Sequence, residues 1–223
     1  MISLKKELLS MKDVLCFGDS NTWGFVPGRG VRYDEHTRWT GVLQDALGAS
    51  WRVHEDGVNG RTSCFDDAVK PFLNGRRALP AALVGQKPID VLVLSLGTND
   101  LKEHTARQAA MGVAQLVRDA LAFDVLYPSK QPVFKGEKHM IVLSPIQVWQ
   151  GLEELNPSDQ LAAAHAESCR FPEVFHEVMA GFPVTLLDAQ QLAAPSHVDG
   201  VHMEAEGHRA IGLKMAQILS SLV

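Results

Sequence analysis

Apolar residues gather in five short runs, at 14–17, 51–58, 89–96, 139–143 and 184–187, each rich in branched side chains and followed by turn residues. Runs of this length without a polar face predict strands buried in a parallel sheet. The segments between them, Trp39–Leu47, 78–84, 106–123 and 161–179, carry a helical pattern, and Ala205–Leu222 closes the chain. In that last segment Ile211, Met215, Ile218 and Leu222 recur at helical spacing and are expected to face the sheet. Regular strand–helix alternation implies right-handed crossovers with helices on both sheet faces. The prediction is therefore a flavodoxin-like, doubly wound three-layer α/β/α fold. Ligands of such folds bind beyond the carboxyl ends of the strands.

Those strand ends carry the chemistry. The first run leads into Gly18-Asp19-Ser20-Asn21-Thr22, the second into Asn59-Gly60, and the third into Gly97-Thr98-Asn99-Asp100; Asp199-Gly200-Val201-His202 immediately precedes the closing helix. A serine hydroxyl is a weak nucleophile at neutral pH and needs a neutral imidazole to take its proton as it attacks an acyl carbon. Ser20 is the candidate nucleophile and His202 the candidate base. Asp199, three residues before His202, is close enough to fix the imidazole tautomer and stabilise the imidazolium. Charge developing on the carbonyl oxygen needs preorganised donors. The Gly60 and Ser20 amides and the Asn99 side chain are the candidates for that oxyanion hole.

In these residues the chain resembles the SGNH, or GDSL-type, hydrolases. The resemblance runs through Gly18-Asp19-Ser20, Gly60, Gly97-Thr98-Asn99-Asp100 and the Asp199 to His202 segment, in the family's order and over nearly the whole chain. The fuller strings at 16–24 and 38–43 are similar to the arylesterase/acyltransferase branch. Asn21 departs from the name-giving motif, which has leucine there, and this bears on the acyl pocket more than on the reaction. The resemblance implies the sheet order 2-1-3-4-5, a cofactor-independent serine esterase, acyl transfer to alcohols beside hydrolysis, and a homo-oligomer. A carbohydrate O-deacetylase is the alternative activity on this fold. A catalytically idle binding protein is the alternative of another class.

Each residue also has a plainer role open to it. Ser20 alone would read as a helix N-cap, and Asn99 and Asp100 as turn formers after a strand. Asp19 and Asp100 are assigned structural roles, and Arg38 and Arg61 loop-bracing ones. His197, Asp199, His202 and His208 form a nitrogen and oxygen set of the kind that binds zinc. Their spacing is not that of a helical zinc motif, and a metal would leave Ser20 and Asn99 unexplained. No metal or cofactor is therefore assigned.

Two irregular stretches, at 25–33 and 144–152, are expected to wall the pocket, with Trp23 restricting the acyl side to short chains and Ile146 and Trp149 on the alcohol side. The 223 residues fit one domain over 1–223. A loosely attached extension at 1–10 is expected, with Met11 as an alternative start. A net charge of −5 without blocks of like charge argues against nucleic acid or a membrane surface as partner; the candidate site residues make a small-molecule ester the expected one. Cys16, Cys64 and Cys169 lack metal or redox spacing and read as reduced thiols. With no apolar run like that of a signal peptide or membrane span, a cytoplasmic location is the expectation.

Overall fold

A computed structural model describes residues 11–67 and 70–222. The extension expected at 1–10 lies outside the described residues. Five strands, β1 (Lys12–Gly18), β2 (Trp51–Gly57), β3 (Ile89–Ser95), β4 (Phe134–Ser144) and β5 (Thr185–Asp188), form one sheet in the order β2-β1-β3-β4-β5. All four pairings are parallel. The helices are α1 (Ser20–Trp23), α2 (Trp39–Leu47), α3 (Gly75–Gln86), α4 (Ala106–Leu126), α5 (Leu152–Leu155), α6 (His165–Ser168), α7 (Phe171–Met179) and α8 (Ala205–Leu222). Fold class and strand order are those expected from the sequence.

The period-2 geometry of the strands divides the core into two layers. Leu15 and Phe17 of β1 join Leu92 and Leu94 of β3 in a cluster with residues of α3, α4 and α7. Val14, Cys16, Val91 and Val93 point the other way, onto Trp39 and Leu43 of α2 and Ile211, Met215 and Leu219 of α8. Both faces of the inner strands are thus buried, which accounts for their unbroken apolar runs. Among the described residues, no helix is long and apolar enough to cross a membrane.

The predicted helix at 161–179 is a correction: the segment breaks into α6 and α7, with Cys169 and Arg170 between them. Pro172 explains the break, because it lies in the first turn of α7, where its missing N–H costs nothing. A continuous helix would place it in the interior. β4 begins five residues earlier than its apolar run, since the polar stretch Lys135-Gly136-Glu137-Lys138 bulges against β3. The ends of α2 and α8 coincide with the sequence pattern.

Candidate active site

The nucleophile candidate stands where β1 turns into α1. Asp19, not Ser20, caps that helix, its carboxylate accepting the Asn21 amide at 3.0 Å. Ser20 is the first helical residue, so its hydroxyl is released from capping and its amide has no partner within the helix. The turn is tight enough to require a glycine before it: a Cβ on Gly18 would lie 2.8 Å from the Ser95 carbonyl oxygen and still closer to Thr22.

The loop between β5 and α8 brings the candidate base across. His202 Nε2 lies 2.9 Å from Ser20 Oγ, and His202 Nδ1 lies 2.8 Å from Asp199 Oδ2. An ionised carboxylate only accepts, so Nδ1 carries the proton and Nε2 turns its lone pair to the serine hydroxyl. Asp199 also accepts the amides of Val201, His202 and Gly28 at 3.0–3.1 Å. Burial raises its pKa, but the His202 ring and these amides overcome that, holding the carboxyl down at about 2. Phe25 stacks on the other face of the imidazole, with centroids 4.1 Å apart. Asn21 Oδ1 accepts the Met203 amide at 3.1 Å. The departure from the leucine of the family motif therefore ties the nucleophile turn to the histidine loop.

The loops after β2 and β3 carry the candidate oxyanion donors. Gly60 has φ of +84°, a conformation that favours glycine. The Asn99 side chain donates to the Arg61 carbonyl at 3.2 Å, which fixes the amide plane and leaves its second N–H for a ligand. The adjacent Asp100 accepts the Ser63 amide at 3.1 Å and the Ser63 hydroxyl. Two successive residues of one loop thus clamp the other and set Gly60 beside Asn99. Burial pushes Asp100 up to about 7 and Asp19 up to about 6. Raised carboxyls favour the folded state at low pH, and this contribution is lost as pH rises from about 4 through those values. Asn99→Ala is expected to lower kcat on an aryl acetate by about 10²–10³-fold, with a smaller change in KM. Steady-state kinetics of the folded variant check this, and a loss confined to KM would remove Asn99 from the oxyanion hole.

Arg61 is 4% exposed and reaches the Gly18 and Asp56 carbonyls at 3.0 and 2.7 Å and the Asp56 carboxylate at 2.7 Å. It braces the ends of β1 and β2, as Arg38 braces Glu55. Of the alternative metal set, His197 stacks on Trp149, and His208 is buried with its Nδ1 accepting the Trp39 amide. Among the described residues, no three His, Cys, Asp or Glu side chains converge as a ligand set.

The expected pocket residues fall elsewhere. Ile146 is buried in the core and faces only a small void behind Asp19 and Asn21. Trp149 packs on His197 and donates its amide to the Gly200 carbonyl at 2.8 Å, so the 144–152 stretch buttresses the loop that carries Asp199 and His202. The one-turn α1 packs its end against Gly57, and the Trp23 ring lies under the Arg32 guanidinium. None of the three is on the cleft wall. That cleft, of about 400 Å³, is lined by Phe25, Asn59 and Lys102 and by Asn156, Ser158, Asp159, Gln160 and Leu161, beside the candidate catalytic groups. The 156–161 wall went unrecognised in the sequence, although Asn156-Pro157-Ser158-Asp159 is a strong loop signal.

Residues 16–210 match the model of the GDSL-like lipase/acylhydrolase family. The chain belongs to that family. Solved structures similar to it include the native aryl esterase of M. smegmatis, at 30% identity over 95% of this chain and 100% of that one, TM-score 0.84. A carbohydrate acetylesterase family member from Sinorhizobium meliloti is also 30% identical, over 95% of this chain and 98% of that one, TM-score 0.86. No curated protein matches the chain. Family membership and the esterases among its structural neighbours identify the chain as a carboxylester hydrolase of the SGNH type.

Proposed function

We propose that the protein hydrolyses short-chain carboxylic esters through an acyl-enzyme on Ser20. The observation that carries this reading is the unbroken chain from Asp199 through His202 to Ser20 Oγ, with Gly60 and Asn99 beside it. His202 takes the Ser20 proton as Oγ attacks the ester carbonyl. The oxyanion is held by the Gly60 and Ser20 amides and the Asn99 side chain. His202 returns the proton to the leaving alcohol, then activates water to release the acid. An alcohol bound in place of water gives acyl transfer from the same intermediate.

The walls argue for a short acyl group. Most cleft residues are polar, with Phe25, Leu161 and Val201 the main apolar exceptions. A long chain would forfeit about 0.8 kcal/mol for each methylene it fails to bury. Acid-quenched turnover of p-nitrophenyl acetate is expected to show one acetyl group on the peptide containing Ser20. The kcat/KM for acetate should exceed that for octanoate by about tenfold or more. Faster octanoate turnover would contradict the short-acyl reading, and an unmodified Ser20 peptide the acyl-enzyme. The same polar wall, Asn156, Ser158, Asp159 and Gln160, favours O-acetylated sugars as a second substrate reading.

A further inference from the structure

A second cavity, of about 260 Å³, adjoins the catalytic cleft and shares Gly60, Asn99, Lys102 and Gln160 with it. Its aromatic wall is made by Phe65 and His104, whose rings stack with centroids 3.7 Å apart and planes 26° from parallel. Phe65 follows Gly60, and His104 follows Asn99, by the same five residues, so the loops that carry the oxyanion donors also carry this stack.

The platform is held rigidly. The Thr62 hydroxyl donates to the Phe65 carbonyl at 2.6 Å, and Asn74 donates to the Cys64 carbonyl and the Asp66 carboxylate at 3.1 and 2.7 Å. Arg77 holds the other Asp66 oxygen at 2.6 Å, and the His104 amide donates to the Asp100 carbonyl at 2.9 Å. Binding there pays little to order the wall. Around the rings stand Lys102, Glu103 and Gln160, which offer donors and acceptors to a polyhydroxylated ligand. The acidic side chains Asp66, Asp67 and Glu103 disfavour a phosphate-bearing one.

An aromatic pair bordered by hydrogen-bonding groups suits a pyranose, whose ring has an apolar face and a polar edge. We propose that this cavity is a sugar subsite, which holds a neighbouring unit of an O-acetylated oligosaccharide while the acetyl ester lies at Ser20. The proposal rests on the esterase reading above and extends its second substrate class.

The test compares acetylated xylose, acetylated xylotriose and p-nitrophenyl acetate as substrates for wild type, Phe65→Ala and Phe65→Tyr. In wild type, kcat/KM for the trisaccharide ester should exceed that for the monosaccharide ester by about tenfold, mainly through KM, as the loss of one aromatic contact would predict. Phe65→Ala should collapse that ratio, and Phe65→Tyr should keep it. His104→Ala repeats the measurement if Phe65→Ala does not fold. Equal rates on the two sugars in wild type would overturn the subsite, as would a Phe65→Ala variant that slows both in proportion. Hydrolysis of p-nitrophenyl acetate without either sugar ester would remove the subsite and leave the esterase reading standing. Loss of all three in folded wild type would remove both.

Discussion

Ser20→Ala is expected to reduce kcat on p-nitrophenyl acetate by about 10⁴–10⁶-fold while KM stays within a few-fold of wild type. In the proposed mechanism the hydroxyl is the attacking group, and among the described residues no other hydroxyl or thiol is hydrogen-bonded to His202 Nε2. What survives comes from the donors: the Ser20 amide belongs to the backbone, and Gly60 and Asn99 do not depend on the side chain. Thermal stability separates this role from capping. Losing an N-cap costs about 1 kcal/mol, but the cap of α1 is Asp19. The variant should therefore melt close to wild type. A drop in melting temperature with activity kept within tenfold would make Ser20 structural and end the nucleophile assignment.

Physical coding explains which features were visible along the chain. The central stretches of β1 and β3, Val14 to Phe17 and Val91 to Leu94, are buried on both faces, so their residues had to be apolar and the runs stand out. Candidate chemistry was legible because small polar residues such as Ser20, Asn99 and Asp100 end those runs where a buried strand has no reason to supply them. Asp199 and His202 were legible as a pair because three residues of one loop bring carboxylate and imidazole together. Cleft walls were not legible. Trp23, Ile146 and Trp149 are large apolar side chains in irregular segments, yet Ile146 is buried in the core, and Trp23 and Trp149, both half-buried, pack on Arg32 and His197. The polar wall at 156–161 has no periodicity to announce it, and its place beside Ser20 follows from how the chain after α5 returns to the sheet. The break between α6 and α7 was encoded by Pro172, whose preference for a first helical turn outweighs the apolar spacing around it.

Electrostatics around the pair makes the second large effect specific. Asp199→Asn is expected to lower kcat by about 10⁴-fold with little change in KM. The asparagine oxygen can still accept the Val201 and His202 amides, which bond Oδ1. Its NH₂ would instead face two donors, His202 Nδ1–H and the Gly28 amide, where Oδ2 now accepts both. The imidazole relieves that conflict by moving its proton to Nε2, the atom that must accept from Ser20 Oγ–H. The variant then holds a correctly placed ring in the wrong tautomer, and substrate binding survives while proton transfer does not. Acid stability gives an independent readout. Because the folded carboxyl is held down at about 2, its contribution to stability is present above about pH 4 and is lost as pH falls toward 2. Asp199→Asn should flatten the stability profile in that window. A tenfold or smaller loss of kcat, with the acid profile unchanged, would mean that the carboxylate neither sets the His202 tautomer nor carries the charge that balances the imidazolium.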